Sequence, residues 1–166
     1  ETPVKRLDRM LSVNLRGTFV CSQACVPYLK KAANPHILTL SPPLNMHPRW
    51  FKGHVAYTMA KYGMSMCTLG MAEEFRADGI AVNSLWPRTT IATAAIAVNF
   101  PKAILDASRK PAIVADAAYA IVNRDSRKAT GNFYIDETVL REEGVTHFDQ
   151  YAVTPGTSLY TDLFLD

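Results

Sequence analysis

Four residues carry the chemistry this chain can be expected to do: Asn14, Ser41, Tyr57 and Lys61. Tyr57-Thr58-Met59-Ala60-Lys61 is a Tyr-x-x-x-Lys segment. On a helix that spacing stacks both side chains on one face, one turn apart. A Lys ammonium beside a phenol stabilises the phenolate and lowers the Tyr pKa from its reference of about 10. A phenol tuned toward neutral pH gives a proton to a carbonyl or takes one from an alcohol. Ser41 is expected to bind the same oxygen.

The elements that must position these groups are readable from periodicity. Residues 3–32 read as one long helix, opened by Pro3, with Leu7, Met10, Leu11, Asn14, Leu15, Thr18, Phe19, Ser22, Cys25, Val26 and Leu29 as its stripe. Pro27 falls inside that stripe as a kink or a stop, and Asn34-Pro35 ends it. His36 to Leu40 reads as a buried strand with Ser41 at its carboxyl end. Residues 42–54 read as a loop, and 55–77 as a second long helix closed by Asp78-Gly79. Ile80 to Trp86 reads as a second strand ended by Pro87. Residues 88–110 hold helical stretches with a break at Pro101. Residues 111–123 predict a helix, 131–136 a third strand, and the tail after Thr138 a short helix.

Helix and strand in alternation predict an α/β fold, a Rossmann-like doubly wound parallel sheet. In such sheets ligands bind outside the carboxyl ends of the strands. Ser41, Pro87 and the start of the Tyr57 helix are predicted to gather on that side.

The chain has 166 residues, of which 48% are hydrophobic and 20% charged, enough for a sizeable core. A net charge of +3, without a basic cluster, gives no nucleic-acid footprint. No apolar run is long enough for a membrane span, and no signal peptide is visible. Cys21, Cys25 and Cys67 cannot all pair with one another and point to a reducing, cytoplasmic setting. Cys21 and Cys25 read as core residues, and no metal site is expected. Trp50, Phe51 and His54 can wall a substrate pocket.

These motifs together resemble the short-chain dehydrogenase/reductase superfamily. Val13-Asn14-Leu15-Arg16-Gly17 is similar to its central helix, Ser41 to its active-site serine, and Tyr57 with Lys61 to its Tyr-x-x-x-Lys. Val82-Asn83-Ser84-Leu85-Trp86-Pro87 is similar to the strand leading to its nicotinamide-contacting loop. Ser41-Pro42-Pro43-Leu44-Asn45 and Leu85-Trp86-Pro87-Arg88-Thr89 resemble the hydroxysteroid dehydrogenase-like protein 2 group. The match runs over the whole chain, as the C-terminal two-thirds of one catalytic domain.

The resemblance implies an NAD(P)-dependent oxidoreductase in which Tyr57 is the acid/base. Lys61 lowers its pKa and binds the nicotinamide ribose, Ser41 holds the reacting oxygen, and Asn14 holds a relay water. It implies cofactor contacts at Pro87, Thr89, Ile91 and Thr93, and substrate-pocket positions at Pro42, Trp50, Phe51 and Trp86. It favours NADP slightly over NAD and implies a homodimer or homotetramer acting on a small, hydrophobic molecule. An animal relative would be peroxisomal or mitochondrial. Two departures stand out: Arg88 replaces the family's Gly after Pro87, and 16 positions separate Ser41 from Tyr57, a few more than usual.

The Gly-rich turn that holds a dinucleotide pyrophosphate is absent, because no two of the eight glycines lie within three residues of each other. The chain is therefore expected to be part of a longer polypeptide. A second reading is a binding or scaffold protein that keeps the fold without turnover. An epimerase or dehydratase using the same Tyr and Lys ranks third, since such enzymes usually carry a larger C-terminal substrate domain.

Overall fold

A computed structural model describes residues 2–166. The first helical run divides into α1 (Val4–Met10), a π-helical turn at Leu11–Arg16, and α2 (Gly17–Leu29). Its backbone stays helical throughout, and Pro27 lies inside the last turn of α2. The predicted stripe is mostly half-buried, with Ser22 fully so, while Phe19, Cys21 and Cys25 are exposed. Cys21 and Cys25 are therefore surface groups of this chain and not the core residues expected.

β1 (His36–Thr39) follows. A long loop with one 3-10 turn at Pro48–Trp50 leads into α3 (Val55–Glu74), and β2 spans Ala81–Trp86. Helices α4 (Ala94–Asn99), α5 (Lys102–Asp106) and α6 (Ala112–Val122) come next, then β3 (Phe133–Ile135) and α7 (Asp136–Glu142). Pro101 sits at the N-terminal boundary of α5, the expected break. The last helix begins at Asp136 and not after Thr138; Asp136 and Glu137 in its first turn suit the positive end of a helix.

The sheet is three-stranded and parallel, in the order β1-β2-β3, with Ile37 opposite Val82 and Thr39 opposite Ser84. Every residue of β2 is buried, as a central parallel strand covered on both faces should be. This is the predicted Rossmann-like α/β architecture.

Two compact units make up the chain. Of the described residues, the first holds 2–85 and 122–133. Its core is Met71, Ala72, Ile80 and Val82, with Val26, Leu29, Ile37 and Phe75 packed against it. Gly79, at φ +70°, ends the turn after α3 in a conformation that favours glycine. The second unit holds residues 86–121 and 134–166. It buries Ile113, Ala117, Ile121, Val139, Leu140 and Phe164.

Candidate active site

Tyr57 lies in the first turn of α3 and is 38% exposed, so its phenol is reachable. Lys61 stands one turn further on. Its ammonium donates a hydrogen bond to Leu40 O at 3.0 Å. That carbonyl belongs to the residue before Ser41, so Lys61 and the carboxyl end of β1 are held together.

Ser41 is fully buried. Its Oγ lies 2.8 Å from Ser84 Oγ, and Ser84 donates to Thr68 Oγ1 at 2.9 Å. Thr68 in turn donates to Met64 O at 3.4 Å, one turn back along α3. A hydroxyl has one proton to give. With Thr68 and Ser84 committed down the chain, Ser41 must be the donor to Ser84, and its lone pairs are what it has left to offer. The three hydroxyls form one buried row with a single polarity.

Asn14 sits within the π turn, a feature that recurs at functional sites. Its Nδ2 donates to Met10 O at 3.0 Å. Leu15 beside it presses on α3 at Gly63, where a Cβ would come within 2.9 Å of Leu15 Cδ1. A side chain at this position would make Leu15 shift, so glycine keeps the π turn close against the helix bearing Tyr57 and Lys61.

The loop from Pro42 to His54 is fixed to α3 at four points. Ser65 Oγ donates to Pro42 O at 2.6 Å, Tyr62 Oη to Asn45 O at 2.7 Å, and Thr58 Oγ1 to Trp50 O at 2.6 Å. The Phe51 ring meets Tyr62 edge-on at 5.6 Å. Burial pushes the Tyr62 phenol above its ordinary pKa, partly countered by its hydrogen bond to Asn45. Of the expected pocket residues, Pro42 is fully buried, while Trp50 and Phe51 are half-buried.

Trp86 belongs to the second unit. Its indole N–H donates to Leu163 O at 2.9 Å and its ring packs against Phe164 at 5.9 Å. The segment after it is firmly held. Arg88 N–H donates to Asp136 Oδ1 at 2.8 Å, and Arg88 O accepts from Asp162 N–H at 3.1 Å. Thr89 bridges to Thr161 and Ile91 to Arg109. Thr93 immediately precedes α4.

Sequence reasoning missed the charged group behind this segment. Arg109 and Glu137 are both largely buried, and Arg109 Nη1 lies 2.5 Å from Glu137 Oε2, close as charges though not aligned as a hydrogen bond. Arg141 Nη2 approaches the same carboxylate at 2.8 Å, and both guanidinium groups face the Phe148 ring. Asp136 Oδ1 also accepts from Glu137 N–H at 2.6 Å, while Oδ2 is buried without a hydrogen-bond partner. Burial holds the Asp136 carboxyl above the ordinary carboxylate range, against the pull of the two N–H donors and Arg109. Burial alone would raise Glu137 as well, but Arg141 and Arg109 outweigh it and hold it low. Ser84 did leave a signal: polar residues on a wholly buried strand need partners. Asn83 beside it finds them, accepting from Asn132 N–H at 2.9 Å and donating to Ala129 O at 2.6 Å.

Comparison with known proteins adds a family to this geometry. Residues 1–102 match the model of the short chain dehydrogenase family. The chain is 60% identical over all its residues to rat hydroxysteroid dehydrogenase-like protein 2, covering 31% of that protein, and 57% identical to the human one, covering 39%. A solved short chain dehydrogenase from Mycobacterium thermoresistibile superposes with a TM-score of 0.92 at 49% identity; the match covers all of this chain and 59% of that one. A solved structure from Xanthomonas campestris gives 0.94 at 50% identity, covering 61% of its chain. This chain thus spans about two fifths or less of the curated relatives' length and about three fifths of the solved ones'.

Proposed function

Since this chain belongs to the short-chain dehydrogenase family, we propose that Tyr57 exchanges a proton with a hydroxyl or carbonyl group of a small, hydrophobic substrate in an oxidoreductase reaction. The observation that carries the reading is the pairing in space of α3 with the end of β1. The exposed Tyr57 precedes Lys61 by one turn, and Lys61 is tied to Leu40 O beside Ser41. The Lys61 charge favours the phenolate, so Tyr57 can act in either direction.

The residues present fit the nicotinamide end of a dinucleotide: a cationic donor beside a phenol for the ribose and the reacting carbon. A nicotinamide cofactor, when bound, takes up or delivers the hydride. Lys61 also binds its ribose hydroxyls, and Pro87, Thr89, Ile91 and Thr93 contact its carboxamide and phosphates, both carried over from the family resemblance. Ser41 sits at the strand end from which the reacting oxygen is held. Asn14 orders a water that passes protons between Lys61 and solvent. NADP is favoured over NAD on resemblance alone, as is a homodimer or homotetramer. Trp50 and Phe51, both half-buried, line the substrate side.

Tyr57→Phe tests the reading. Turnover by the full polypeptide, followed by nicotinamide absorbance, is expected to fall by about 10²–10⁴-fold. Cofactor affinity by fluorescence titration should hold. Unchanged turnover overturns the assignment of Tyr57. Failure of the unaltered protein to bind either nicotinamide cofactor favours the scaffold reading.

A further inference from the structure

The second unit matches its positive charges to partners with one exception. Lys102 pairs with Asp106 at 2.6 Å, Arg109 and Arg141 converge on Glu137, and the Lys110 ammonium donates to Gln150 O at 3.0 Å. The exception is Arg88. This residue is half-buried, yet its guanidinium makes no hydrogen bond, ion pair or ring contact with any described residue. A charge partly withdrawn from water gains from an anion brought to it, and more so where the hydrogen bonds are charge-assisted.

The main chain of Arg88 is fixed on both sides. Its N–H donates to Asp136 Oδ1 at 2.8 Å, and its carbonyl accepts from Asp162 N–H at 3.1 Å. Asp136 thus takes the backbone N–H of Arg88 and leaves the guanidinium of the same residue unpaired. The chain stays anchored beyond it. Thr89 bridges to Thr161, Thr90 N–H donates to Tyr160 O at 3.0 Å, and both threonines are buried. A side chain on a fixed backbone has less freedom to lose on binding than one on a loose loop.

Arg88 also stands where an anion is expected. It follows the carboxyl end of β2 by two positions, on the side where ligands of a parallel sheet bind. From residue 77 to residue 101 it is the only Lys, Arg or His. The segment assigned to the cofactor, Pro87 to Thr93, therefore has this one cation to set against a phosphate. We propose that the Arg88 guanidinium binds the phosphate on the nicotinamide half of the dinucleotide, as a forked donor to its oxygens. The proposal rests on the reading of Pro87 to Thr93 as cofactor contacts, and it adds a charged binding group to them.

The test is equilibrium binding by the full polypeptide, which needs no turnover. Reduced nicotinamide mononucleotide and reduced nicotinamide riboside differ only by that phosphate, and both are titrated by their own fluorescence. The unaltered protein is expected to bind the mononucleotide about tenfold more tightly than the riboside. Arg88→Gln should remove that preference, leave the riboside unaffected and weaken the tighter of NADH and NADPH by a similar factor. Its unfolding midpoint should not move, since the side chain gives up no contact within the protein. Arg88→Lys keeps the charge without the fork and should retain part of the preference. Equal binding of the two small ligands by the unaltered protein overturns the proposal. So does an Arg88→Gln variant that keeps the preference, that weakens the riboside as much as the mononucleotide, or that binds the dinucleotide as tightly as before. In each of these cases dinucleotide binding by the unaltered protein leaves the cofactor reading standing. An unaltered protein that binds neither NADH nor NADPH sinks the cofactor reading itself, and the proposal with it.

Discussion

The first unit and the second both bury hydroxyls, but among the described residues the second also buries charges. Behind Tyr57, the interior polar groups are Ser41, Ser84, Thr68, Ser65 and Thr58, all buried, each donating or accepting at short range. In the second unit the hydroxyls of Thr89, Thr90 and Ser108 are joined by the charged Arg109, Asp136 and Glu137. A hydroxyl costs little to bury once bonded, and it can be rotated. A charge is costly to bury and tolerates no missing partner. The first arrangement suits a site that must pass protons and adjust. The second suits a segment that must be held in one conformation.

Breaking the charged cluster should give the largest effect. Glu137→Ala leaves Arg109 buried without its counter-charge, at a cost of about 3–5 kcal/mol in denaturant unfolding. A cost under about 1 kcal/mol would mean that the cluster is hydrated and that the contrast between units is false.

Asp136 gives the next effect. Asp136→Ala removes the acceptor of both Arg88 N–H and Glu137 N–H, for about 2–3 kcal/mol. Asp136→Asn keeps a carbonyl oxygen for these donors and removes the buried charge. The folded pKa of Asp136 is raised, so its neutral form is favoured in the fold, and its contribution falls as pH rises through that pKa. That of Glu137 is lowered, so its contribution is present at neutral pH and is lost on acidification. The two oppose each other in the wild type. Asp136→Asn should leave only the loss on acidification, read as unfolding midpoints from about pH 3 to 7.

The hydroxyl row should give the smallest effect and no pH dependence. Ser84→Ala leaves the Ser41 proton without its acceptor and takes from Thr68 one donor, while Thr68 keeps its bond to Met64 O, for about 1–2 kcal/mol, unchanged between about pH 5 and 8 because none of the three ionises there. It also frees the Ser41 proton, so turnover should change more than stability does. Stability that varies with pH in this variant would show that an ionisable group feeds the row.

How much of this was legible in the sequence follows from how local each signal is. The Tyr57–Lys61 pair is a spacing on one helix, and α3 carries it as read. β2 was readable as a largely apolar run, interrupted by Asn83 and Ser84 and ended by a proline. The π turn was not, because nothing in Leu11–Arg16 marks a residue beyond the α-helical count. The Ser41–Ser84–Thr68 row joins residues brought together by strand pairing and by a helix over the sheet, and no spacing encodes it. Arg109 and Glu137 are likewise distant in sequence. Trp86, expected at a substrate mouth, donates its indole N–H to Leu163, and only the fold reveals that acceptor.

The π turn also makes this helix sensitive to its own length. A wider turn holds more residues than the α-helical turn it replaces. Deleting one residue there, such as Val13, would let the segment close as uninterrupted α-helix without breaking the chain's continuity. Six residues in the wide turn cover about the same rotation as five in an α-helix, so the seven residues of α1 would keep their facing, with Leu7 and Met10 still on the half-buried side. Asn14 would lose its place in the wide turn. A single-codon loss at this point would thus remove the widening without rotating the segment before it, and would act on Asn14 alone.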